Sequence, residues 1–256
     1  MWQSPVTSTI REASTITRGA NTMSTLVVTG ANRGIGLEFV RQYAEAGNRI
    51  HATCRNPETA QDLQEIATVS EGRVTIHQLE MGDFEAIDAF GAELEGIPVD
   101  VLINNAALQL PQTSQTLRNL DYDGWEETFR VNTMAPVRLV QALIENIKAS
   151  EEKKIVNLSS HSASIGDTTH PNLVMAYRSS KTALNRIMTL VALKYAEDGV
   201  ITTLQLPGWV KTELGGGDIA DFTPAEAVAH MIKINNNLTP EDNGRYIEWD
   251  GTTVPW

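Results

Sequence analysis

A single cysteine, Cys54, stands among the 256 residues. One thiol excludes any internal disulfide and fits a reducing compartment, so a cytoplasmic location is expected. No apolar run approaches the roughly 18 residues that a membrane-spanning helix needs. The chain therefore reads as soluble, with no membrane partner. Basic residues are scarce: 20 Lys and Arg stand against 32 Asp and Glu, a formal net charge of −12. That balance excludes nucleic acid or an anionic membrane surface as the main partner, yet allows a local basic pocket for one phosphorylated ligand. The first 22 residues lack an apolar stretch long enough for a secretory signal. They are rich in Ser and Thr, with Arg11 and Arg18 against Glu12. Residues 1–22 read as a disordered or processed tail, with an organelle-targeting leader as the alternative. No linker, repeat or composition break follows residue 25, so residues 23–256 are expected to form one domain.

What the chain does contain is an alternation. Short β-rich runs occur at 25–30, 49–54, 73–79, 99–105, 154–160, 200–206 and 245–249. Several are nearly continuous in Val, Ile and Leu, as strands are when both faces of a parallel sheet are covered. Helical patterns lie between them, at 35–47 with Gly47 as the C-terminal stop, at 123–149, at 175–198 and at 224–236. Alternating strands and helices predict an α/β fold, a doubly wound parallel sheet of about seven strands with helices on both faces.

TGANRGIG (29–36) joins the first strand to the first helix. Gly30, Gly34 and Gly36 let the backbone turn tightly and approach a pyrophosphate, which then meets the positive end of the helix. The bland alternative is a glycine-rich turn after a strand. Its place at the opening of a βαβ unit favours nucleotide binding. The second strand ends in Thr53-Cys54-Arg55, with no acid to bond a ribose 2′-hydroxyl. Arg55, together with Arg33 in the glycine loop, suits a 2′-phosphate, which points to NADP(H).

MAYRSSK (175–181) places Tyr177 and Lys181 four residues apart, on one face of a helix. Alone, that spacing fits a tyrosine packed over a lysine stem as well as a catalytic pair. The surrounding motifs decide. TGANRGIG, NNAA (104–107), Asn132 in FRVNTMAP, NLSS (157–160), YRSSK (177–181) and PGWVKT (207–212) occur in this order. Together the six resemble the short-chain dehydrogenase/reductase family, over about residues 25–256. PGWVKTELGGG and the ending DGTTVPW are similar to its carbonyl reductase, sniffer and C-factor-like branch.

The resemblance implies a single-domain Rossmann-type fold and an NADPH-dependent enzyme that reduces a carbonyl of an aldehyde, ketone or quinone to an alcohol. It makes Tyr177 the proton donor and Lys181 the charge that favours the phenolate and holds the nicotinamide ribose. Ser160 would polarise the carbonyl, with Ser159 and Ser162 as alternatives, and Asn132 would anchor a water in a relay to Lys181. On the cofactor side it implies Gly30, Asn32, Gly34, Ile35 and Gly36 in the glycine loop at the pyrophosphate, with Arg33 and Arg55 at the 2′-phosphate. Glu80 would face the adenine, and Asn105 with Ala106 would support the adenosine side. Pro207, Gly208, Val210 and Thr212 would surround the nicotinamide, beside Tyr177 and Lys181. Glu80-Met81 and Ala107 depart from the family pattern of Asp-Val and glycine, and Ser160 stands 17 residues before Tyr177, a long stretch for the family.

Residues 208–222, with glycines at 215–217, read as a mobile lid. Trp209, Leu214, Phe222, Leu108 and Leu110 are candidates for an apolar pocket wall. His161 and His170 lack a third ligand placed by any motif, so no metal is expected. Glu126, Glu127, Glu151 and Glu152 read as solvated charge. Relatives of this kind form homodimers or homotetramers through helices like 123–149 and 175–198, and some are monomers. Two rival functions are an epimerase or dehydratase of an extended relative, disfavoured by the glycine spacing, and a non-enzymatic NADP-binding signalling protein.

Overall fold

The computed structural model describes residues 23–111, 113, 115–168, 174–215 and 217–256. Strand β1 (Thr25–Thr29) leads into helix α1 (Gly34–Glu45). Next come β2 (Arg49–Cys54), α2 (Gln61–Val69), β3 (Val74–Gln78), α3 (Phe84–Glu93) and β4 (Val101–Asn104). A two-stranded antiparallel ribbon, β5 (Gln115–Thr116) and β6 (Asn119–Leu120), precedes α4 (Tyr122–Phe129) and α5 (Ala135–Lys148). The chain continues through β7 (Lys154–Leu158), α6 (Met175–Lys194), β8 (Ile201–Gln205), α7 (Pro224–Asn236) and β9 (Tyr246–Ile247). All seven expected strands form, within two residues at either end.

They build one parallel sheet in the order β3-β2-β1-β4-β7-β8-β9. Strand order reverses between β1 and β4, and a crevice opens beyond the carboxyl ends of the strands at such a point. In β1, Leu26 and Val28 face one side, with Ile103 and Val156, under Phe39, Leu63 and Met231 of α1, α2 and α7. Val27 faces the other side, with Leu102, Ile155 and Leu204, under Phe90, Leu139 and Leu184 of α3, α5 and α6. The period-2 alternation thus feeds two cores, and both are apolar because helices cover both faces.

Helix ends follow local chemistry. Gly47 takes φ +85°. Its N–H and that of Asn48 close the end of α1 on the carbonyls of Ala44 and Tyr43, both at 3.0 Å. The pattern at 123–149 departs from a single helix: a π-helical turn, Arg130–Met134, separates α4 from α5. Glu152 is not solvated charge. Its carboxylate accepts from Lys154 Nζ at 2.8 Å and from Ser24 Oγ at 2.6 Å, with both members of the ion pair largely buried. Lys154 opens β7, an interior strand of the sheet, so its stem is enclosed and its ammonium needs an internal partner.

Candidate active site

The glycine loop is shaped by how closely other backbone approaches it. Gly30 and Gly34 take φ +64° and +56°, a region that other residues enter only with strain. A Cβ on Gly30 would lie 2.9 Å from Ala106 Cα, and one on Gly36 would lie 2.2 Å from the Gly30 oxygen. Gly36 therefore stands behind the loop and lets α1 pack under it; it is not on the cavity wall. Gly36→Ala is expected to cost about 1–3 kcal/mol by overpacking, a fall of several degrees in the melting midpoint measured by circular dichroism. Helix α1 begins at Arg33 with no side-chain cap and no acid in its first turn. Its first N–H groups and its positive end are thus left for an anion.

Thr29 and Asn105 brace this loop from the strand ends. Asn105 Nδ2 donates to the carbonyls of Thr29 and Gly30, at 2.8 and 3.1 Å. Thr29 Oγ1 accepts from the N–H groups of Asn105 and Ala106, each at 3.0 Å. The sequence reading did not single out Thr29, although it opens the TGANRGIG motif.

A cavity of about 1310 Å³ runs along the carboxyl ends of the strands, from Arg55 past the glycine loop to Ser160 and Tyr177. Every expected site residue lines it except Gly36 and Asn132. Arg55, after β2, and Arg33, in the glycine loop, both meet acids. Arg55 Nε lies 3.9 Å from Glu80 Oε2, and Arg33 pairs with Glu213 of the loop after β8. The second oxygen of Glu80 accepts from the Gly82 N–H at 3.2 Å. The carboxylate thus closes its own turn as well as pairing with Arg55.

At the other end of the cavity, α6 presents Tyr177 and Lys181 on one face, as the i, i+4 spacing dictates. Lys181 Nζ lies 5.8 Å from the Tyr177 ring centre, and both side chains are buried. Lys181 Nζ donates to the Leu158 carbonyl at 2.8 Å. Burial pulls its ammonium down to about 8 from an ordinary value of 10.5. The Tyr177 phenol is pushed up to about 12 by burial, against a hydrogen bond with Ser160 that favours ionisation. Of the three candidate serines, Ser160 is the one that meets Tyr177; its Oγ also accepts from the Ser162 N–H at 3.1 Å. Ser159 turns inward, and its hydroxyl donates to Asn185 Oδ1 at 2.6 Å.

Asn132 sits in the π-helical turn, fully buried. Its Oδ1 accepts from the Leu108 N–H at 2.7 Å, while its Nδ2 donates to the Leu108 carbonyl at 2.8 Å and to Ser180 Oγ at 3.0 Å. The side chain ties the loop after β4 to the turn of α6 that carries Lys181, and it reaches Ser180 rather than Lys181 itself.

An apolar part of the remaining wall comes from Leu108, Val174, Trp209, Leu214 and Ile219, with Gln109, Glu127 and Lys211 among its polar members. Two expected wall residues are elsewhere. Phe222 packs 4.7 Å from the Trp249 ring and beside His230, and Leu110 closes on Gly124. The loop after β8 is pinned at its neck. Lys211 N–H donates to the Phe222 carbonyl at 2.8 Å, and the N–H groups of Asp221 and Phe222 donate to Trp209 at 3.0 Å. The expected hinge is therefore confined above that neck, and Gly216 lies outside the described residues. His161 lines the cavity and pairs through Nε2 with Glu248 and through Nδ1, at 3.7 Å, with Asp167. His170 lies outside the described residues.

A parallel sheet that reverses order at a crevice, with a glycine loop and an uncapped helix end inside it, defines a Rossmann-type α/β protein. The chain belongs to the short-chain dehydrogenase family of oxidoreductases, which matches residues 24–221. It is 33% identical over 168 residues to the C-signal of Myxococcus xanthus, covering 66% of this chain and 99% of that one. Among solved structures, NADPH-bound carbonyl reductase from chicken fatty liver is 34% identical. It superposes with a TM-score of 0.84 over 91% of this chain and 99% of its own. The carbonyl reductase Sniffer of D. melanogaster is 28% identical, with a TM-score of 0.83 over 92% and 100%. The family resemblance read from the six motifs holds, carbonyl reductase branch included. Among the described residues, no helix is long and apolar enough to cross a membrane.

Proposed function

We propose that this protein reduces a carbonyl group to an alcohol with NADPH. One observation carries the reading: the buried Tyr177 lines the cavity, hydrogen-bonded to Ser160 and one helical turn from Lys181. Burial alone would hold that proton too tightly; the Ser160 hydrogen bond and the nearby Lys181 charge favour the phenolate that donation leaves, which is what carbonyl reduction requires. When bound, the reduced nicotinamide supplies hydride to the carbonyl carbon. Tyr177 gives its proton to the carbonyl oxygen, and Ser160 polarises that oxygen from the β7 end. Lys181 supplies positive charge beside the phenolate left behind, and the burial of both side chains strengthens the attraction. The apolar wall of Leu108, Val174, Trp209 and Leu214 suits a moderately apolar aldehyde, ketone or quinone.

The cofactor side fits the same reading. The uncapped end of α1 and the glycine loop accept a pyrophosphate, and Arg33 and Arg55 suit a 2′-phosphate. Two of the similar structures, the chicken enzyme and a Burkholderia multivorans dehydrogenase, carry NADPH or NADP. Arg55→Asp is expected to move preference toward NADH, lowering kcat/KM for NADPH about tenfold relative to NADH. Steady-state kinetics with both cofactors checks this, and an unchanged ratio would assign the phosphate to Arg33.

The reading is tested by NADPH oxidation with purified protein against aldehydes, diketones, quinones and ketoesters. Turnover that Tyr177→Phe removes supports it. A second reading, a cofactor-binding signalling protein, draws on the C-signal relative. It predicts NADPH binding with no turnover on any carbonyl.

A further inference from the structure

Beneath Ser160, Tyr177 and Lys181 lies a second polar layer. The face of α6 that carries Tyr177 and Lys181 continues, four residues on, to Asn185, which is buried. Asn185 Oδ1 accepts from the hydroxyl of Ser159, the residue before Ser160. From the edge strand β9, the fully buried Tyr246 donates its hydroxyl to the backbone carbonyl of Ser160. Its ring is held from two directions. β9 pairs in register with β8, Tyr246 opposite Leu204, and the Trp256 ring stacks on Tyr246 at 5.1 Å and 18°. Ser160 is therefore gripped twice: Tyr177 meets its side chain and Tyr246 its backbone.

Packing does not account for the second phenol. A phenylalanine would fill the same space and stack on Trp256 equally well, whereas a buried hydroxyl needs a partner. Burial pushes the Tyr246 phenol up to about 12, with Asn185 and Ser159 beside it favouring ionisation. It therefore stays a donor across the neutral range. Ser160 also stands two residues beyond the end of β7 and caps the short 3-10 turn His161–Ala163, where strand pairing no longer holds the chain.

We propose that Tyr246, with Asn185 and Ser159, is a positioning residue that fixes the Ser160 hydroxyl against Tyr177. The inference rests on the reductase reading of this site. A hydroxyl that must polarise a carbonyl tolerates little displacement, since a shift of about 1 Å can cost about 10²-fold in rate. Tyr246 acts only through Ser160, so its contribution vanishes when the Ser160 hydroxyl is absent.

The test is a double-mutant cycle on the full chain. Tyr246→Phe is expected to lower kcat about tenfold or more, with KM for NADPH unchanged. In the Ser160→Ala background, Tyr246→Phe is expected to cost nothing further. Equal losses in both backgrounds would mark Tyr246 as merely structural and overturn the proposal. A second readout needs no turnover: tyrosinate absorbance in the NADP+ complex, with Tyr177→Phe subtracted. Tyr246→Phe and Ser160→Ala should each raise the Tyr177 titration, and the double variant should raise it no further. A titration that Tyr246→Phe leaves where it was would overturn the proposal. Absence of turnover in the unmodified protein would count against the reductase reading alone, and the titration would still decide the role of Tyr246.

Discussion

Tyr177→Phe is expected to lower kcat for carbonyl reduction by about 10²–10⁴-fold, the range spanned by loss of a positioned proton donor. The substitution removes one oxygen and keeps the ring that fills the buried site beside Ala176 and Ser180. Ser160 and Lys181 stay in place, since Lys181 is held by the Leu158 carbonyl and not by the phenol. NADPH affinity should therefore change no more than a few-fold, because the glycine loop and both arginines are untouched. Fluorescence titration of NADPH and steady-state turnover on one carbonyl separate the two quantities. Equal turnover in the variant would remove Tyr177 from the chemistry, and a parallel loss of NADPH affinity would make its role structural.

Lys181→Met is expected to abolish turnover and yet melt at a higher temperature. Lys181 is buried with a backbone acceptor and, among the described residues, no carboxylate paired to it, and desolvation pulls its folded pKa to about 8. The unfolded chain binds that proton more tightly, near the ordinary 10.5. Folding is therefore penalised at and below about pH 8, and the penalty fades as pH rises from about 8 to 10.5. Its size is on the order of 3 kcal/mol. Methionine removes it, while the Leu158 carbonyl left without a donor costs back about 1–2 kcal/mol. The net gain of about 1–2 kcal/mol should raise the melting midpoint by about 3–6 °C at neutral pH. By differential scanning calorimetry, the gap between variant and unmodified protein should narrow from pH 8 to pH 10. A variant that melts lower at neutral pH, or a gap that widens with pH, would contradict this reading of the lysine. A residue that destabilises the fold where it serves the reaction is a familiar cost of function.

The strands and the family motifs were legible because their causes are local. A parallel strand covered on both faces must be apolar throughout, so the runs around Val27, Leu102 and Ile155 announce themselves. The turn at Gly30 and the stop at Gly47 need positive φ, which glycine signals directly. What stayed hidden depends on partners distant in sequence. The apolar periodicity of 123–149 runs unbroken through Asn132, so the π-helical turn left no signal in that pattern. Glu152 looked like a surface acid until the fold enclosed Lys154 beside it. Phe222 and Leu110 sit in segments without periodicity, and only tertiary packing decided that both face away from the cavity. Tyr246 read as one more strand former in RYIEW. Nothing near it reveals that its hydroxyl meets a serine 86 residues earlier.

The central claim, that Tyr177, Ser160 and Lys181 reduce a carbonyl with NADPH, is tested most directly by following the hydride itself. NADPH carrying deuterium at the transferring position of the nicotinamide is incubated with purified protein and the carbonyl panel, and the products are read by mass spectrometry. The account predicts an alcohol labelled at the former carbonyl carbon, formed by the unmodified protein and not by Tyr177→Phe. Bound NADPH with no labelled alcohol from any carbonyl, or label transferred equally well by Tyr177→Phe, would contradict it.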